Sequence, residues 1–343
     1  MRKLYLFSLL IAITGVLSSC DKTPVLGPKN TGAIDSMAHG IFICNEGNFQ
    51  WANASLGFYN TSTGNMQDDV FKSNNQRSLG DVLQSICLLE NKAYLLVNNS
   101  QKIEVIDSKT LKSTATITGF NSPRYMLPIS NQKAYVSDLY EKAIWILDLN
   151  QQKISGKIAI PSWTEEMVLS GNKAFICGRT SAFVYVVNVQ TDALIDSISI
   201  GYGAQNMLVD KAGKIWVLCV GQNPIPAQLH CIHPITGIEK SFSLPAGSNP
   251  SRLVCNNNKT TIYWINTHIY AMAIDAKQLP QDPMIQAAGR NFYGLGFNGI
   301  KGEILASDAK DYVQKSEVYR FDTLGSNLGS FKAGTNANYF LAR

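Results

Sequence analysis

Five carboxylates stand at the ends of apolar runs: Asp81, Asp138, Glu165, Glu166 and Asp308. Drawn together, oxygen ligands of this kind hold a hard divalent cation. A carboxylate at a strand end is more commonly satisfied by the amides of the neighbouring loop, which leaves it no chemistry to perform. Cys231 and His233 share one face of His230-Cys231-Ile232-His233, but two ligands do not make a metal site, and packing is the expected role. There is no His-Glu-x-x-His, no Gly-x-Ser-x-Gly and no Gly-rich phosphate loop ahead of a helix. Catalytic residues and cofactors are therefore expected to be none, with no metal site.

Residues suited to recognition are abundant. Trp51, Tyr125, Tyr140, Trp163, Tyr202, Tyr293, Tyr312 and Tyr339 supply aromatic planes. Arg77, Arg124, Arg179, Arg252 and Arg290 supply charged donors, and Asp81, Asp138 and Glu165 supply acceptors. Asn98, Gln205, Asn206 and Gln222 add amides. Trp, Tyr and Arg dominate binding hot spots, so these residues form the predicted ligand-binding set. About half of the rings are expected to fill the wedge between neighbouring sheets instead.

The elements that position this set are visible as a repeat. Residues 91–119 hold three alternating apolar runs broken by turn residues, the pattern of consecutive antiparallel strands. Ala93, Ala134, Ala174 and Ile215 open equivalent runs 41, 40 and 41 residues apart. That period marks a four-stranded propeller blade. Second strands are predicted at residues 41–44, 93–96, 134–137, 174–177, 215–218, 262–265 and 304–307. Fourth strands are predicted at 66–71, 114–117, 156–160, 196–200, 240–244, 285–288 and 328–332, and no helix-period segment follows residue 37.

A first strand precedes every second strand except the one at residue 41. The missing strand is predicted at the C-terminus, where Asn336-Ala337-Asn338-Tyr339-Phe340-Leu341 parallels Asn121-Ser122-Pro123-Arg124-Tyr125-Met126-Leu127. Pairing the chain ends in this way leaves no open edge. The expectation is an all-β, seven-bladed β-propeller of four-stranded antiparallel blades over residues 38–343, its first blade closed by N- and C-terminal strands.

In such a ring, the loops between strands 2 and 3 and the links between blades share one face. That face receives the long, varied loops and the recognition residues, while the other carries short polar turns. Only His268 of the four histidines falls near the rich face, which argues against Ser/His/Asp catalysis. The six cysteines after Cys20 are scattered singly at ends of apolar runs and are expected as buried fillers rather than a disulfide framework.

Residues 1–19 have a basic start and an apolar run too short to span a bilayer, as in a secretory signal. Leu17-Ser18-Ser19-Cys20 resembles a bacterial lipobox, which implies lipidation at Cys20 and a membrane held through a lipid anchor. Residues 20–37, with Pro24, Gly27, Pro28 and Gly32, read as a flexible tether. The formal charge of +5 falls to about +3 without Arg2 and Lys3, and with no basic cluster present this argues against nucleic acid as a partner.

Ala93-Tyr94-Leu95, the run from Lys102 to Asp107, and Ala115-Thr116-Ile117 resemble the YVTN-type repeat of bacterial surface-layer and periplasmic propellers. A closer resemblance rests on Asn45-Glu46-Gly47-Asn48-Phe49, Leu79-Gly80-Asp81-Val82, Val97-Asn98-Asn99-Ser100, Ser122-Pro123-Arg124-Tyr125, Ser137-Asp138-Leu139-Tyr140 and Trp216-Val217-Leu218-Cys219. Together these are similar to a Bacteroidetes family of surface-exposed, seven-bladed propeller lipoproteins. The resemblance implies an outer-membrane, cell-surface location and capture of cobalamin, another corrinoid or a similar polar ligand. It also implies transfer to a TonB-dependent outer-membrane transporter. A structural propeller binding protein or glycan stands as the alternative, and a carboxylate-dependent, lactonase-like hydrolase as the third reading.

Overall fold

The computed structural model describes residues 39–343. The signal segment, the lipobox at Cys20 and the tether lie outside the described residues. From residue 39 onward the chain is a seven-bladed β-propeller. Blade 1 is ordered Ala337–Ala342, Gly40–Asn45, Ser55–Asn60, Met66–Gln67 from the axis outward, so both chain ends build it. The closing register pairs Ile41 with Ala342 and Cys44 with Tyr339. Backbone bonds from Glu46 to Asn336 and from Gly47 to Thr335, each 3.1 Å, extend the seam into the loop above.

Every second strand is covered by neighbouring blades on both faces, which explains why these strands read as nearly continuous apolar runs rather than strict alternations. Lys92–Val97 is buried at all positions but its first. Phe42, Leu56, Phe58, Leu83 and Leu95 interlock in one such wedge, between blades 1 and 2. Each large side chain so buried contributes about 2 kcal/mol. Fourth strands form the rim and are largely exposed, as along Ala193–Ser199. The six cysteines of the described residues are free.

Two rim elements differ from expectation. Residues 66–71 are not one strand: Met66–Gln67 pairs briefly, and Val70–Asn75 is a short helix. Asp69 caps it by accepting from the Lys72 amide at 3.0 Å, and Val70 and Phe71 bury their side chains in the first wedge. In blade 6 only three strands form, Ser251–Cys255, Thr261–Asn266 and His268–Ala273. The predicted fourth strand is reduced to a single bridge between Ile269 and Ile285. The chain between them spends its length in an excursion over residues 274–284 and returns for one pair of hydrogen bonds only.

Candidate functional site

All seven innermost strands carry a one-residue bulge near their first residues. Gln84 is the extra residue between Leu83 and Ser85, Gln205 between Ala204 and Asn206, and Arg252 between Ser251 and Leu253. Arg124-Tyr125, Glu165-Glu166 and Tyr293-Gly294 each face a single residue of their partner strand. Asn338 is the extra residue of the closing strand. A bulge bends the strand and re-aims its side chains. Repeated around the ring, it delivers a layer of polar groups to the axis where a regular strand would alternate them away. Gly294 belongs to this layer by close approach, since a Cβ there would lie 2.5 Å from the carbonyl oxygen of Ala337.

A cavity of about 150 Å³ opens at this layer, lined by Arg124, Tyr125, Glu165, Gln205, Asn206, Ser251, Arg252 and Tyr293. Seven of these eight belong to the sequence-predicted set; Ser251 does not. Arg124 meets Glu165 fork to fork, Nε to Oε2 at 3.0 Å and Nη2 to Oε1 at 3.1 Å. Its remaining terminal nitrogen donates to Gln84. Burial disfavours the Arg124 charge, but its polar surroundings, Glu165 foremost and Glu46 with it, together outweigh burial and raise the guanidinium's pKa. Glu166 accepts from Asn206 Nδ2 and from the Met207 amide, both at 2.9 Å. Burial nevertheless pushes its carboxyl up to about 7. The Tyr293 hydroxyl donates to Glu46 at 2.7 Å, and Asn338 donates to the other Glu46 oxygen. Burial also raises the Tyr125, Tyr293 and Tyr339 phenols, so all three remain neutral donors at ordinary pH.

Below this layer the axis widens into a second cavity of about 650 Å³, with Met126, Met167, Met207, Leu253, Leu295 and Leu341 among its walls. Tyr125 and Arg252 line both cavities and divide them. Tyr339 faces the lower one, its ring 6.4 Å from that of Tyr125.

Above the layer lies an aromatic rim. Trp51, Tyr140, Trp163 and Tyr312 are 72, 58, 36 and 48% exposed. Tyr140 and Trp163 form an edge-to-face pair at 5.4 Å, and Tyr312 stands edge-on to Tyr293 at 5.6 Å, which connects rim to pocket. Tyr202 and Arg179 are half-buried and Gln222 is exposed on the same face.

Other predicted site residues have architectural duties. Asp138 is buried and accepts from the amides of Asn121 and Ser122 at 2.8 Å and from Trp145 Nε1 at 3.2 Å. Asp81 accepts from the Gln50 amide, and Asp308 from those of Asn291 and Lys310. Asn98 ties blade 2 to blade 3 by donating to Ser122 and Pro123. Arg77 lies away from the axis, paired with Glu104 and stacked 4.9 Å above Phe71. Arg290 lies 4.3 Å over the Tyr319 ring and donates to the Ala287 carbonyl. The position of each in a link between blades does not reveal which way that link turns. The five carboxylates do not converge, and among the described residues no group of three or more His, Cys, Asp or Glu is arranged to hold a metal.

Sequence reasoning missed Gln84, Glu46 and Ser251 at the axis and Phe49 and Phe183 at the rim. Gln84 carried a signal: Gln84, Arg124, Glu165 and Gln205 stand 40, 41 and 40 residues apart, the blade period itself.

The chain is similar in structure to a quinonprotein alcohol dehydrogenase-like protein of Bacteroides thetaiotaomicron VPI-5482, with TM-score 0.71 and 16% identity over 90% of this chain and 78% of that one. It is also similar to a protein named as a candidate 6-phosphogluconolactonase of Bacteroides uniformis ATCC 8492, with TM-score 0.71 and 10% identity over 89% and 99%. A functionally unknown protein of Desulfotomaculum acetoxidans DSM 771 gives TM-score 0.67 and 14% identity over 89% and 98%. At these identities the likeness is one of fold. No curated protein sequence matches. Residues 39–342 match the family model described as a domain of unknown function, DUF5074, and the chain belongs to that family.

Proposed function

We propose that this propeller is a surface lipoprotein that captures a broad, polar nutrient molecule, most suitably a corrinoid, and passes it to a TonB-dependent outer-membrane transporter. One observation carries the reading. Among the described residues, all six exposed aromatic side chains, Phe49, Trp51, Tyr140, Trp163, Phe183 and Tyr312, lie on the loop-bearing face, whereas the exposed large residues of the opposite turns and the fourth strands are aliphatic. Rings held at the rim of a rigid scaffold present stacking area with little ordering cost. The polar pocket at their centre supplies orienting hydrogen bonds. Its 150 Å³ is far too small for a whole corrinoid, so the ligand's broad face would rest on the rim while one substituent enters the pocket.

The test is substitution at the rim. Trp51→Ala and Trp163→Ala each lower cyanocobalamin affinity about tenfold or more, by loss of about 1.4 kcal/mol or more of stacking. Binding that is indifferent to both changes removes the rim from the account.

A further inference from the structure

We propose that the axial pocket is an oxyanion subsite in which Arg252 receives an anionic arm, carboxylate or phosphodiester, of the captured molecule. This rests on the capture reading above and assigns the chemistry of its central contact.

Two guanidinium groups reach the pocket, and they are in different situations. Arg124 is consumed by Glu165 and Gln84. Arg252 donates only through Nε, to the Tyr293 carbonyl at 3.2 Å, and its two terminal nitrogens have no protein partner among the described residues. The neighbouring acidic groups are all engaged elsewhere: Glu165 by Arg124, Glu46 by Tyr293 and Asn338, and Glu166 by Asn206 and the Met207 amide. Glu46 and Glu166 favour the Arg252 charge through space but accept no hydrogen bond from it, so an entering oxyanion would supply the missing acceptors.

The placement of Arg252 is itself unusual. It alone among the extra residues of the seven bulges sits at positive φ, +53°, an uncommon conformation for a residue with a side chain. From this backbone the side chain reaches the pocket, its Cζ 5.4 Å from the Tyr293 ring. Ser251 lines the cavity with a hydroxyl that has no hydrogen-bond partner among the described residues, a second donor beside the first. The volume of about 150 Å³ equals about five waters. That is room for an oxyanion and a few attached carbons. Corrinoids carry neutral amide arms and a phosphodiester, so the subsite selects between groups present on one ligand.

The experiment follows the Arg252 Nε–Hε resonance of the purified protein, assigned by its loss in Arg252→Gln. Propionate, dimethyl phosphate and the neutral propionamide are titrated in turn. At least one of the two anions should bind tenfold or more tightly than propionamide, and whichever does so identifies the arm. Arg252→Gln should erase that preference in a binding assay on the variant. Should it fail to fold, Ser251→Leu fills the pocket beside an intact Arg252 and should abolish anion binding. Propionamide binding as tightly as both anions, or anion binding that survives Ser251→Leu, overturns the subsite. Cyanocobalamin titrated into the same sample separates the two readings. Cobalamin binding without anion preference leaves capture standing and removes the subsite; anion binding without cobalamin binding does the reverse.

Discussion

The guanidinium of Arg124 and the carboxylate of Glu165, 41 residues and one blade apart, lie fork to fork with both contacts within 3.1 Å. Glu165 is nearly inaccessible, so removal of either charge strands the other. Glu165→Gln should destabilise the fold by about 3 kcal/mol. The double variant Arg124→Met, Glu165→Leu should recover at least half of that loss in denaturant unfolding. A double variant less stable than both singles would show that the pair is needed as a pair of charges.

Ring closure gives a second prediction. The strand Ala337–Ala342 is the inner strand of blade 1, whose other strands come from residues 40–67. Ending the chain after Thr335 should cost more than about 4 kcal/mol and replace one cooperative unfolding transition by a broad one. A truncated chain with an unchanged midpoint would contradict the closure.

Glu166 makes stability depend on pH. Its folded value of about 7 exceeds the ordinary 4.5, so between these limits the folded chain retains a proton that the unfolded chain has released. Stability is greatest below 4.5 on this account and is lost as pH rises through 7, by about 3 kcal/mol at most. Glu166→Gln should remove this contribution, read in urea titrations between pH 5 and 8 as a wild-type advantage over the variant that shrinks as pH rises.

His230 works in the opposite sense. Its ring accepts from the Gly201 amide at 3.1 Å, which requires a bare Nε2, and burial lowers its pKa to about 4 from 6.5. Its contribution is present above 6.5 and disappears as pH falls through 4, again about 3 kcal/mol at most. In the wild type the two slopes overlap and largely cancel between pH 4.5 and 6.5. His230→Gln should therefore expose the Glu166 slope, and Glu166→Gln the His230 slope, in the same measurement.

The ring was legible because its grammar is local. The run from Ala93 is answered at Ala134, Ala174 and Ile215, and the C-terminal Asn336-to-Leu341 segment matches the inner strand of blade 3. Seven of the eight pocket residues were legible too, since the starts of inner strands are fixed by that period. What the sequence concealed is the bulge, because one extra residue in a strand leaves no mark on composition or spacing. It is the bulge that turns Arg252 and Gln84 inward. Arg77 and Arg290 stand outside the pocket, each against an aromatic ring and an acceptor, and the Arg77–Glu104 and Arg290–Tyr319 contacts join segments whose meeting the sequence does not mark. Val70–Asn75 was too short for a helical period to emerge.

The most direct test of the capture account is isothermal titration of cyanocobalamin into the purified protein. The account predicts a saturable heat at micromolar ligand, one site per chain, weakened about tenfold by Trp51→Ala. No heat at micromolar cyanocobalamin from folded protein would contradict it.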